Sequence, residues 1–183
     1  MNEISKQTLA VLVDNEAGVL SQVSRLFSRK GYNIESLAVG TTDDPAVSRI
    51  TIEVNTDTAH IELVCNQLRK LIPVHSVKLL KPEAAIRREL VLIKVRAASS
   101  EVRSEIIQIA NIFRASVIDV SIESLTVAVI GDENKIDGIQ QLLAQRGILE
   151  LVRTGMVALE RGSYTIEEQT KEKGEFDYGK IVR

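Results

Sequence analysis

The sequence predicts an α+β fold made of two tandem βαββαβ units. Three observations lead there. Along the chain the spacing of apolar residues switches repeatedly between two, as in a strand, and 3.6, as in a helix. The segments run strand, helix, strand, strand, helix, strand. That order then occurs a second time within the 183 residues.

Thr8 to Asp14 (TLAVLVD) reads as a buried strand. Gly18 to Lys30 reads as a helix with Val19, Leu20, Val23, Leu26 and Phe27 on one face. Arg29 and Lys30 complement its negative end, and Gly31 suits the position just past it. Asn33 to Thr41 is a second strand, and Thr42-Asp43-Asp44-Pro45 a turn. Val47 to Val54 alternates, with Ile50, Ile52 and Val54 facing in and Arg49, Thr51 and Glu53 facing out. Thr58 to Leu71 is a helix with Ile61, Val64, Cys65, Leu68 and Leu71 inward; Pro73 closes it, and Val74 to Leu80 is a fourth strand. This is the ferredoxin-like order.

In the second unit, Glu89 to Ala97 is a strand and Ser100 to Phe113 a helix facing inward through Val102, Ile106, Ile109, Ala110 and Phe113. Ala115 to Ile122 and Leu125 to Ile130 form a hairpin. Asn134 to Ala144 is a helix with Ile136, Ile139, Leu142 and Leu143 inward. Ile148 to Leu159 is the last strand, broken at Gly155. The expected organisation is therefore a first domain at 1–80, a connector at 81–88 and a second domain at 89–161. A charged, mobile tail is expected at 162–183, where Phe176, Tyr178 and Ile181 offer the apolar contacts for a partner.

Composition narrows the function. With 44% hydrophobic and 26% charged residues the chain can bury a core. A net charge of −2, 3% aromatic residues and no Trp argue against nucleic-acid binding, which wants a basic surface and stacking rings. One cysteine, Cys65, excludes an internal disulfide and a cysteine-built zinc site within the chain. His60 and His75 have no ligand-like spacing to other His or Cys, so no metal is expected. No apolar run reaches the roughly 20 residues of a membrane span. Met1 to Lys6 carries no signal core, so the expected location is cytoplasmic. No nucleophile motif or acid–base pair appears, so no catalytic residues are assigned.

What remains is a binding kit. Asn15-Glu16-Ala17-Gly18-Val19-Leu20 joins the first strand to the first helix, and Gly31-Tyr32-Asn33-Ile34-Glu35-Ser36-Leu37 joins that helix to the next strand. A helix start offers unpaired N–H groups and a positive dipole end, which suit a carboxylate. Gly18 has no Cβ and lets a ligand approach the backbone. Asn15 and Asn33 each bring a donor and an acceptor. Taken singly, Gly18 is a tight helix start, Asn15 a cap and Asn33 an ordinary residue after a helix stop; their value lies in the combination. The equivalent loop of the second unit, Arg96-Ala97-Ala98-Ser99-Ser100, has no glycine, so the site belongs to the first unit.

These strings resemble the ACT-domain family of amino-acid sensors, and more narrowly the regulatory small subunits of acetolactate synthase (acetohydroxyacid synthase). The resemblance rests on Asp14 to Leu20, Leu26 to Leu37, Thr42 to Pro45 and Ser48 to Ile52 in the first unit. In the second it rests on Arg88-Glu89-Leu90, Ile112 to Ala115, Val117 to Val120 and Arg153-Thr154-Gly155. It implies that the first unit is an ACT domain and that the chain is non-catalytic. It further implies a homodimer through ACT domains and an effector site between protomers at Asn15, Gly18, Val19, Leu20, Asn33 and Ile34, with Ser21 in support. The implied partner is a catalytic subunit that holds thiamine diphosphate, magnesium and FAD. This chain would activate that subunit and confer feedback inhibition by valine. The alternative is a free-standing ACT-type sensor acting on another partner.

Overall fold

The computed structural model describes residues 4–167. The elements are β1 (Ser5–Asp14), α1 (Val19–Lys30), β2 (Ile34–Thr41), β3 (Val47–Thr56), α2 (Thr58–Leu68), β4 (Val74–Leu80), β5 (Ala85–Arg96), α3 (Ser100–Ile112), β6 (Ser116–Val120), β7 (Ser124–Gly131), α4 (Glu133–Ala144), β8 (Ile148–Arg153) and β9 (Val157–Glu160). The α+β class and the doubled βαββαβ order are as expected. One sheet runs β2-β3-β1-β4 and the other β6-β7-β5-β8, the same order counted within each unit, with β9 pairing β5 off that path. The described residues fall into two compact units, one up to Ile86 together with Ala158 onward, the other Arg87–Val157.

In the first unit β1 and β3 pair antiparallel over their whole length, from Ser5 opposite Thr56 to Asp14 opposite Val47. Because side chains alternate along a strand, Leu9, Val11 and Val13 share one face with Ile52, Ile50 and Ser48 opposite them. The apolar members of that face pack with Val19, Val23, Leu26 and Phe27 of α1 and Ile61, Val64, Cys65 and Leu68 of α2. Leu20, expected inward, is exposed. It lies 100° around the helix from Val19, off the stripe that Val19, Val23 and Phe27 form at i, i+4 and i+8. Helix α2 ends at Leu68, and Leu71 reaches the core edge from the following turn.

The opposite face of this sheet departs from expectation. Thr51 and Glu53 point away from the helices as the alternation requires, yet both are buried. The chain returns over this face from Ala158: Ala158 and Ile166 cluster with Ala10, Leu12, Leu80 and Ala85, and Glu53 accepts from Thr8 Oγ1 at 3.1 Å. Polar contacts fasten the segment. Arg49 donates Nη2 to the Ala158 carbonyl at 2.7 Å, Ser76 donates to the Ile166 carbonyl at 2.9 Å, and Lys78 Nζ donates to the Thr165 carbonyl at 3.0 Å and pairs with Glu160. Burial pulls the Arg49 guanidinium below its ordinary pKa. The tail expected to be mobile from 162 is thus packed through Ile166; Phe176, Tyr178 and Ile181 lie outside the described residues. The connector also shortens, because β5 begins at Ala85 and leaves Lys81–Ala84 as the turn.

In the second unit Val91, Ile93 and Val95 of β5 and Leu125, Val127 and Val129 of β7 pack on Ile106 and Ala110 of α3 and Ile136, Ile139 and Leu143 of α4. Leu142 is exposed, again beside the buried stripe rather than on it. The break at Gly155 is present: its φ is 83°, between β8 and β9. Glu89 is buried and accepts from Arg153 Nη1 at 2.9 Å. No helix among the described residues is long and apolar enough to cross a membrane.

Three helices begin with a side-chain cap. Asp57 accepts from the His60 N–H at 2.9 Å, Ser99 from the Val102 N–H at 3.3 Å and Asp132 from the Lys135 N–H at 3.0 Å. The His60 N–H and then the His60 ring hold the Asp57 carboxyl below the usual carboxylate range. Phe27→Ala, which empties the largest fully buried position, is expected to lower the unfolding free energy by about 3–5 kcal/mol, read as a lower urea midpoint. Asp132→Ala is expected to cost about 1 kcal/mol, the value of one helix cap, in the same measurement.

Candidate functional site

Helix α1 is the exception among the four. Its N-cap is Gly18, with φ 90° and ψ −14°, and no side chain caps the helix. A left-handed conformation here favours glycine. A Cβ built on Gly18 meets nothing within 4 Å, so the approach to the helix start is open. The first helical bond runs from the Gln22 N–H to the Gly18 carbonyl at 3.1 Å, and the Val19 N–H makes a 3.4 Å turn contact to the Glu16 carbonyl. Helix geometry gives the N–H groups of Leu20 and Ser21 no intrahelical acceptor, and the dipole adds positive potential beside them. An anion is the natural guest.

Val19 and Leu20 divide their work. The Val19 side chain is buried in the first core, so what it can offer a ligand is backbone. Leu20, exposed on the neighbouring face, supplies apolar surface at the helix start. Its exposure corrects the core reading and suits the site reading.

Asn15 is braced against the turn between β2 and β3. Its backbone N–H donates to the Ala46 carbonyl at 2.7 Å, its Nδ2 to the Pro45 carbonyl at 2.9 Å, and its Oδ1 accepts from Ser48 Oγ at 3.0 Å. An amide has two N–H donors and two acceptor lone pairs, so one of each stays available. Just before it, Asp14 Oδ1 meets His75 Nε2 at 2.7 Å and the Asp14 N–H donates to the Pro73 carbonyl at 2.9 Å, fixing the loop on its other side. Ser48 is a member of this group that reading the chain for binding motifs did not single out. Its signal was a hydroxyl where the inward row of β3 would continue apolar.

Asn33 and Ile34 are elsewhere. Ile34 pairs with Val54, and Val54 with Gln7, so these residues are level with Gln7 on β1. The Asn15 loop leaves β1 at Asp14. From Gln7 to Asp14 is seven residues, about 24 Å at ~3.4 Å per residue. Within one chain the six candidates therefore form two groups, Asn15 to Leu20 at one end of the sheet and Asn33 with Ile34 at the other. Asn33 is exposed there and donates Nδ2 to Glu35 Oε1 at 3.2 Å. Strand β2, which begins beside Asn33, is a sheet edge, and Val39 on it is exposed. No group of three or more His, Cys, Asp or Glu among the described residues is placed to hold a metal.

Comparison with known proteins identifies the family. Residues 9–76 match the model of the AHAS small subunit-like ACT domain, and residues 88–162 that of the small subunit of acetolactate synthase. The chain is 47% identical over 158 residues to a probable acetolactate synthase small subunit of Methanothermobacter thermautotrophicus, covering 86% of this chain and 94% of the relative. It is 45% identical over 169 residues to the acetolactate synthase small subunit of Aquifex aeolicus, covering 92% and 88%. The crystal structure of the acetolactate synthase small subunit from Thermotoga maritima superposes with a TM-score of 0.82 at 38% identity, covering 88% of this chain and all of that one. With both units matched in order, an ACT domain first and the small-subunit domain after it, this chain belongs to the family of acetolactate synthase small subunits.

Proposed function

We propose that this chain is a regulatory subunit that binds and activates a catalytic acetolactate synthase subunit in the cytoplasm, and that valine binding at the start of α1 inhibits the assembly. The observation that carries the proposal is the open, glycine-capped start of α1 beside the braced Asn15 amide. The helix start takes the carboxylate, the Asn15 amide faces the polar end of the zwitterion, and Leu20 contacts the side chain. Thiamine diphosphate, magnesium and FAD would belong to the catalytic subunit.

The separation of the two candidate groups supports a homodimer. A two-fold axis that sets two copies antiparallel, side by side along the β2 edge, brings the Asn15 end of one against the Asn33 end of the other. It also covers an edge strand that is otherwise free to pair. The effector site would then be shared, with Asn33 and Ile34 coming from the second copy. A coupling of about 1–3 kcal/mol between that site and the engagement of the catalytic subunit is enough for useful inhibition.

Calorimetric titration with valine, with lysine as control, is expected to show selective saturable binding, in the presence of the catalytic subunit if not in its absence. Lack of binding in both settings would remove the valine reading. Gly18→Asp is expected to abolish valine inhibition while the protein stays folded: Asp tolerates the left-handed region better than most residues, the added atoms meet open space, and its carboxylate competes for the helix start. Mixed dimers of Gly18→Asp and Asn33→Ala chains are expected to regain half of the valine sites that each parent dimer lacks. A mixed dimer with no sites would place all the contacts within one protomer.

A further inference from the structure

We infer that Ser48 is a positioning residue for the effector site, acting through Asn15. This deepens the valine reading above and rests on it. The inward row of β3 runs Val54, Ile52, Ile50 and then Ser48, at the end nearest the start of α1. Ser48 is opposite Val13, a core residue, and is itself 6% exposed. A hydroxyl in that place costs stability unless it is bonded, and an alanine or valine would continue the row at no such cost. Its partner is the Asn15 side chain, at 3.0 Å.

The chemistry of the contact explains its use. An unrestrained asparagine amide can turn over and exchange its oxygen for its nitrogen, presenting a donor where an acceptor stood. The Ser48 hydroxyl donates to Oδ1 and holds the amide in place; because a hydroxyl can also accept, the choice between the two orientations falls to the other contact. On the other side the Pro45 carbonyl accepts from Nδ2 at 2.9 Å, and the oxygen cannot take that role. The two contacts together admit one orientation. The remaining N–H and the remaining lone pair are thereby set before a zwitterion arrives, and the ordering cost is met in the free protein.

The brace has a firm footing. Asp44 Oδ1 accepts from the Ala46 N–H at 2.9 Å, and the Asp44 N–H donates to Thr42 Oγ1 at 3.1 Å, so the turn that carries Pro45 and Ala46 is held by its own bonds. Ser48, two residues beyond, belongs to the sheet. The Asn15 amide is therefore registered to a strand end and a tied turn, not to other mobile side chains.

Valine affinity of the full chain, by calorimetry in the setting where the unaltered protein binds, tests the inference alongside thermal melting. Ser48→Ala is expected to weaken valine binding about tenfold without lowering the melting temperature, and Ser48→Thr, which keeps the hydroxyl, to restore most of it. In an Asn15→Ala background, Ser48→Ala is expected to cause no further loss, because its effect runs through that amide. Undiminished affinity in Ser48→Ala would overturn the inference and leave the valine site standing. So would a loss that Ser48→Thr does not repair or that adds to Asn15→Ala. Failure of the unaltered protein to bind valine would overturn the functional reading and this inference with it.

Discussion

The antiparallel pairing of β1 with β3 is the constraint on which the first unit depends. Ten consecutive residue pairs set which side chains meet the helices, and a slip of one residue would turn the whole apolar row outward. The same register arranges the candidate site. It brings Ser48 opposite Val13, two residues before Asn15, and it puts Gln7, Val54 and Ile34 level at the far end. Both the assembly of the Asn15 brace and the distance between the two groups of candidate residues follow from that one alignment.

The two units share a topology and differ in how their first helix begins. In the second unit Ser99 occupies its helix start with its own hydroxyl. In the first, Gly18 leaves the equivalent place to whatever approaches. A side-chain cap is worth about 1 kcal/mol over alanine but only a few tenths over glycine, so Gly18 leaves the start of α1 open at little cost in stability. The second unit, with its helix starts closed by Ser99 and Asp132, has no comparable opening at those positions.

The far face of the first sheet carries charge in a buried setting. Lys78 is 3% exposed and pairs with Glu160, and Arg49 gives a hydrogen bond to the Ala158 backbone. Breaking such a buried pair by removing one partner costs more than making it gains, because the remaining charge stays out of water. These contacts therefore specify one seating for the segment from Ala158 to Ile166 instead of a general apolar adhesion, and Ala158 and Ile166 supply the apolar part.

Local pattern determined a great deal by itself. Alternation and helical spacing located every strand and helix of both units to within a few residues, since each signal is carried by neighbours in the chain. Glycine at 18 and at 31 marked the two ends of α1, and the strings around Asn15 and Asn33 marked the family and a candidate site. Three things needed the tertiary structure. The far face of the first sheet is packed by a segment that bonds Arg49 from more than a hundred residues away, which no window around β3 contains. The use of Ser48 was half legible: the interruption of an apolar row is visible in the sequence, but its partner across the loop is not. The separation of Asn15 from Asn33 was hidden because closeness in sequence, eighteen positions apart on either side of one helix, says nothing about which end of a sheet each residue reaches. Only strand register decides that, and register is a property of pairing between segments.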